Sequence, residues 1–191
     1  RDVTEKTKGK EALIVSEKKY RNIFDNAMEG IFQTTLDGKF ITANPAMAEM
    51  LGYSSAEEFK NCITNIGRQL YVDNSMREEI ISELKRNGKI TGVEIQFYKK
   101  DGSKFWVEIN IRAVKDETGN ILYFEGANID IDSRKQAENT IRESENKYRT
   151  YVNSAPTGIY TIDGQGKYLD VNDKICKILG YSRDEILKLS I

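Results

Sequence analysis

An α+β fold is what this sequence predicts: one five-stranded antiparallel sheet, helices over one face of it, and flanking linker helices. Three observations carry that expectation. The chain matches itself at a displacement of 128 residues, which sets the size of the folding unit. Within that unit, short alternating segments joined by Gly-containing turns come as two and then three, on either side of a helical stretch. The later three alternate cleanly between apolar and polar residues, so each has a core face and an opposite face.

The self-match runs without gaps between residues 1–63 and 129–191 and contains nineteen identities, among them Tyr20/Tyr148, Gly30/Gly158, Gly38/Gly166, Asn44/Asn172 and Leu51-Gly52-Tyr53-Ser54 against Leu179-Gly180-Tyr181-Ser182. Conservative pairs stay in phase, as in Phe32/Tyr160, Met47/Ile175 and Phe59/Leu187. The 191 residues therefore read as about 1.5 periods of a tandem array. The expected division is a tail and linker helix of a preceding module (1–15), one complete module (16–132), a linker helix (133–147) and the first part of a following module (148–191).

Within the complete module, Ser16 to Ala27 reads as a short amphipathic helix with Tyr20, Ile23, Phe24 and Ala27 on one side. Residues 30–36 and 39–43 form a hairpin about a two-residue turn, Asp37-Gly38, placed at or next to the centre of the sheet. Asn44 caps a helix that has Pro45 at its first position, and Met47, Met50 and Leu51 face inward. A further turn or helix begins at Ser55. The longest internal helix spans 75–87, with Ser75 and Glu78 at capping-box spacing, Met76, Ile80 and Leu84 on one face, and Gly88 beyond its end. Strands at 91–99, 104–114 and 121–130 follow, joined by turns at Asp101-Gly102 and Glu117-Thr118-Gly119-Asn120. Their alternation directs Val93, Ile95, Phe97, Phe105, Val107, Ile109, Ile111, Leu122, Phe124 and Asn128 toward the helices.

Composition narrows the function. Twenty-nine basic and 30 acidic side chains leave a net charge of −1, so nothing draws the chain to nucleic acid or an anionic membrane. There is no histidine, which excludes His-ligated haem, His-based acid–base catalysis and a phospho-accepting His within these residues. The two cysteines, Cys62 and Cys176, are far apart and offer neither a disulfide framework nor a thiolate metal site, in keeping with a cytoplasmic setting. No apolar run is long enough to span a bilayer.

A family likeness rests on Tyr20-Arg21, Gly30-Ile31-Phe32, Asp37-Gly38, Asn44-Pro45-Ala46, Leu51-Gly52-Tyr53-Ser54, Lys100-Asp101-Gly102-Ser103 and Asp130-Ile131-Asp132. As a set these resemble the PAS sensory family, over the full module and both flanking fragments. Asp2-Val3-Thr4 matches the closing signature of that family, whereas the complete module has Asp132 in place of its Thr. The resemblance implies a non-catalytic cytoplasmic sensor or dimerisation module, found in arrays in sensor histidine kinases of two-component systems and in diguanylate cyclases. Their catalytic motifs are absent from these residues.

The light-oxygen-voltage branch of that family carries a reactive cysteine near the position of Cys62. Here Ile63-Thr64-Asn65-Ile66 replaces its Arg-Phe-Leu-Gln stretch, and Phe97, Val107 and Asn128 stand where its strand asparagines and glutamine would. Flavin is therefore not expected, and no other cofactor is indicated. The tentative ligand site is a small cavity between the inner sheet face and helix 75–87, walled by Asn128, Phe97, Val107 and Met76 or Ile80; a completely filled core is the alternative. Asn128 is the polar exception on that face and needs a partner in the protein or in a small ligand. On the opposite face Tyr98, Trp106 and Tyr123 point to cover by a flanking helix or a second copy, so a homodimer through the flanking helices or the outer sheet face is expected. The linker stripe Ala137, Ile141, Ser144, Tyr148 and Val152 suits either a coiled coil or a helix docked on its own module, and Gly9 interrupts the equivalent stripe upstream. Two functions stay open: a module sensing a ligand or partner state and relaying it through the linker helices, or a ligand-free dimerisation spacer.

Overall fold

The computed structural model describes residues 2–190; Arg1 and Ile191, the ends of the first and last expected segments, lie outside the described residues, as do the side chains of 2–9, with the Asp2-Val3-Thr4 signature, and of Ala12. The chain divides into two compact units, one up to Ser133 and one from Arg134.

The first unit opens with helix α1 (Asp2–Asp25), which runs straight through Gly9 and the expected boundary at residue 16. A glycine in a helix interior costs only about 1 kcal/mol, too little to break a helix of this length. The expected apolar side of this helix is mostly open to solvent: Tyr20 and Ile23 are exposed, and Phe24 and Ala27 are half-buried. Next come β1 (Gly30–Thr34), β2 (Phe40–Ala43), α2 (Pro45–Met50), α3 (Ala56–Cys62), α4 (Ile66–Gln69), α5 (Asn74–Asn87), β3 (Lys89–Tyr98), β4 (Lys104–Lys115) and β5 (Ile121–Asp130). The sheet is antiparallel in the order β2-β1-β5-β4-β3. β1 lies beside the central strand as expected, but β2 is the outer edge, because the last strand of the module inserts against β1.

Each hairpin of the sheet closes on a three-residue loop, with bonds from Thr35 to Lys39, Lys99 to Ser103 and Asp116 to Asn120. The third loop residue is Gly38, Gly102 or Gly119, at φ of 85°, 81° and 89°. This is the turn-plus-bulge hairpin that needs a left-handed residue there, so the two-residue turn expected at Asp37-Gly38 is one residue longer. A second bulge, where Val114 pairs with Tyr123 but Lys115 pairs with Ile121, turns Leu122 outward to 54% exposure and leaves Ile121 against the core. The inward position expected of Leu122 is thereby corrected.

Asn44 caps α2 as expected, its side chain accepting from the Met47 N–H. α5 starts earlier than its capping-box spacing suggests: Asp73 is the cap and accepts from the Ser75 N–H, so Ser75 lies inside the helix. α4 has too few residues for a period to show in the sequence; Asn65 caps it. Beyond it Tyr71 bridges Phe97, the Val72 N–H donates to the Gln96 carbonyl and the Tyr98 N–H to the Leu70 carbonyl, which fastens the segment to the β3 edge. The core between sheet and helices holds Leu51, Phe59, Leu84, Phe105, Val107, Ile109 and Phe124, all essentially without solvent contact.

α6 (Asp132–Ser154) begins at the last two residues of the first unit and continues unbroken past residue 147. The second unit then forms β6 (Tyr160–Ile162), β7 (Tyr168–Val171), α7 (Asp173–Leu179) and α8 (Arg183–Ile186). Its small core is Val171, Ile175 and Ile186 with Cys176 against it. Among its apolar residues Ile162, Leu169, Ile178 and Leu179 are exposed, whereas Val171 and Ile175 are buried together with Ile186 of α8.

Candidate functional site

The inner sheet face is assembled from alternate residues of every central strand, so residues distant in sequence meet there. Asn128 on β5 sits between Gly30 of β1 and Ile109 of β4. It is 2% exposed, and its Nδ2 donates only to the Met47 Sδ at 3.5 Å, a weak acceptor. Its Oδ1 has no partner among the described residues. A buried acceptor left so costs about 1–3 kcal/mol.

Beside it is a cavity of about 20 Å³, walled by Asn128, Thr34, Met47, Phe97, Ile109 and neighbouring apolar side chains. A single water needs roughly 10–15 Å³, so this volume holds one water-sized molecule. Of the expected wall residues, Asn128 and Phe97 are brought together here. Val107 is buried between Ile95 and Asp130 without reaching the cavity. Ile80 belongs to the packed core under α5. Met76 instead borders a separate shallow groove of about 210 Å³ with Tyr71, Ile95 and Trp106. Wall residues that the sequence reading lacks include Thr34 and Met47, from the hairpin and α2, and Ile66, Leu70 and Tyr71, from α4 and the segment after it; for the first two, the inward phase of the first strand and the first turn after Asn44 are the available signals. Tyr71 closes the α4 side, and burial raises its hydroxyl pKa although the Arg77 guanidinium lies 5.9 Å from its ring and opposes the shift.

The opposite face carries a groove of about 500 Å³, bordered by Tyr20 and Phe24 from the end of α1 and floored by Ile31, Gln33, Arg112 and Ala127. Tyr20 and Phe24 stack at 5.9 Å. Glu125 crosses the floor, taking bonds from Arg112 Nε at 2.7 Å and Gln33 Nε2 at 3.1 Å. Burial pushes its pKa up, and those two donors outweigh that and lower it. Tyr98, Trp106 and Tyr123 are half-buried on the same side.

Cys62 is an exposed free thiol at the end of α3. Nearby, Lys100 Nζ meets Glu58 Oε1 at 2.5 Å, and Ser54 donates to the other carboxylate oxygen from its N–H and hydroxyl. The Lys100 bond first, and then those from Ser54, lower the Glu58 pKa to about 2.

A family model described as a PAS domain matches residues 28–132, and one described as the PAS fold matches 146–191. Sporulation kinase E of Bacillus subtilis (strain 168) is 27% identical over 192 aligned residues, which cover 100% of this chain and 25% of the kinase. Sporulation kinase C of the same organism is 26% identical over 130 residues, 68% of this chain and 29% of that protein. The solved PAS domain of a protein from Colwellia psychrerythraea is 29% identical with a TM-score of 0.53, covering 61% of this chain and 97% of that one. The chain thus spans between a quarter and a third of the length of these two kinases.

Proposed function

The chain belongs to the PAS domain family, and from that premise we propose that it is a cytoplasmic relay segment of a sensor histidine kinase, reading a small ligand at the inner sheet face and passing the state along its linker helices. It is a signal-sensing module related to sensor kinases, and a PAS domain is itself non-catalytic. Kinase activity would belong to other parts of a longer protein. In this reading residues 16–132 are the complete module, 1–15 the end of a preceding one, 133–147 the linker and 148–191 the start of the next. A second copy would join through the flanking helices or the outer sheet face. Among the described residues no helix is long and apolar enough to cross a membrane.

The observation that carries the sensory reading is the unpartnered Oδ1 of Asn128 at the wall of the inner cavity. A ligand that opens the core at this cavity, presenting one N–H or O–H and otherwise apolar, would relieve the desolvation of that oxygen. A ligand acts only through different affinities for two packings of the module, and Asn128 contacts both the sheet and, through Met47, α2. The cavity volume favours a second reading, a ligand-free dimerisation spacer, because about 20 Å³ admits no organic molecule unless the core opens.

Native mass spectrometry of the purified chain and of Asn128→Leu separates the two. A bound mass on the wild type that the variant loses is the expected result. A bare wild type whose Asn128→Leu variant is more stable, by about 1 kcal/mol for removal of an unpaired acceptor, would establish the spacer.

A further inference from the structure

The same side chain closes the same knot in both copies of the repeat. Asn44 is fully buried, and its Oδ1 accepts from the Ile31 N–H at 2.9 Å and the Met47 N–H at 3.0 Å, while its Nδ2 donates to the carbonyls of Phe24 at 3.0 Å and Glu29 at 2.9 Å. Asn172, also fully buried, accepts from Ile159 at 2.9 Å and Ile175 at 3.0 Å and donates to Val152 at 2.8 Å and Thr157 at 3.0 Å. Two donors and two acceptor positions are all an amide side chain has, so each is fully used. The four partners are the last turn of a linker helix, the loop before the first strand, the start of that strand (Ile31) or the residue just before it (Ile159), and the first turn of the following helix. Two units with separate cores have arrived at one arrangement, although their neighbouring side chains differ: Met47 against Ile175, Glu29 against Thr157, Phe24 against Val152.

Neither helix buries an apolar face where it enters the module that follows it. None of the described side chains of α1 is buried, and α6 has no buried residue. Phe24 and Val152 are only half-buried, and Tyr20 is 64% exposed one turn earlier. Helical stability and attachment come mostly from packing of an apolar face, so where that face is small a buried amide bond to the last helical carbonyls decides the helix position. A cap alone would not need Nδ2: Asp or Ser serves as well at that position.

We propose that Asn44 and Asn172 are positioning residues that couple each linker helix to the strand and helix of the module it enters. This rests on the relay reading only for its use in signalling; the mechanical tie itself does not. Displacement of α2 or β1 then reaches the linker helix through one side chain, and in the reverse direction too.

The test uses the whole chain in a Cys62→Ser, Cys176→Ser background, with spin labels at Lys18→Cys on α1 and Lys115→Cys on β4. Asn44→Asp and Asn44→Ser keep a capping oxygen for α2 and lack the amide donors. Expected in both is a label-distance distribution broadened about twofold, with amides of the last turn of α1 exchanging roughly tenfold faster while those of β4 and β5 stay as in the wild type, since local opening leaves the core intact. Folded variants with an unchanged distribution would overturn the proposal. Should neither variant fold, the side-chain amide protons of Asn44 and Asn172 in the unmutated chain decide: protection in step with the Ile31 and Ile159 backbone amides supports the tie, and exchange at the rate of a free side chain overturns it. A tie that holds, in a wild type whose label distance is the same when monomeric and when concentrated enough to associate, would sink the relay reading and leave the coupling standing.

Discussion

At Gly126 a β-carbon would lie 2.2 Å from the Asn110 carbonyl oxygen and 3.0 Å from the Ile111 Cα, both backbone atoms that cannot swing aside. At Gly30 it would meet the Met47 sulfur at 2.8 Å, the far part of a flexible side chain, and the Met47 Cα at 3.1 Å, a milder approach than either at Gly126. Gly126→Ala is accordingly expected to cost about 3 kcal/mol, the upper end of overpacking, and Gly30→Ala about 1 kcal/mol, a difference that urea denaturation would read directly. The repeat keeps a glycine at 158 for the same contact, against Ile175. Charge works at this scale as well. The Glu58 pKa is lowered from 4.5 to about 2 by Lys100 and Ser54. A depressed carboxylate stabilises the fold fully above its unfolded pKa, and that contribution fades as pH falls from there through the folded value. Lys100→Gln should raise the Glu58 titration in a carboxyl NMR series and move the onset of acid unfolding to higher pH; an unmoved Glu58 titration would show that the ion pair does not form in solution. Most of this was beyond sequence reading, since Lys100 and Glu58 are 42 positions apart and no local period links them.

Elements follow local chemistry more closely. Turn glycines, the Asn44-Pro45 start and the Gly88 stop all act where the sequence places them. Apart from the two long linker helices and the short α4, the departures are of one residue or one turn and come from competition between neighbouring signals: Asp73 takes the α5 cap from Ser75, and the bulge at Lys115 hands the core position from Leu122 to Ile121. Asp73→Ala should cost about 1 kcal/mol and Ser75→Ala less, measured as the shift in urea midpoint; the reverse order would return the cap to Ser75. At Gly102 nothing lies within 4 Å of an added β-carbon, so Gly102→Ala isolates the backbone term. About 1–2 kcal/mol is expected for forcing alanine into the left-handed region, with Asn at the same position costing less.

For the molecule as a whole, the repeat is both the strongest sequence signal and the one the structure amends. After Ser54/Ser182 the ungapped match slips by one: Ser55 and Ser182 cap α3 and α8, Glu58 and Glu185 take the capping bonds, and Phe59 corresponds to the buried Ile186 rather than to Leu187. Because the two units have separate cores, a chain ending at Thr150 should melt at nearly the same temperature as the first unit of the full chain, while self-associating less through the lost apolar surface of Ile162, Leu169 and Ile178. A large drop in that melting temperature would show the first unit depending on the second. Alternation and the repeat period, read locally, were sufficient for the antiparallel α+β class, the strands, most caps and the inward side of the sheet. Strand order, the slip in the repeat, the separation of Val107, Met76 and Ile80 from the cavity at Asn128, and the fourfold bonding of Asn44 and Asn172 were decided only in three dimensions. Periodicity tells which way a side chain faces; which distant atoms it then meets depends on how whole elements pack, and no local pattern encodes that.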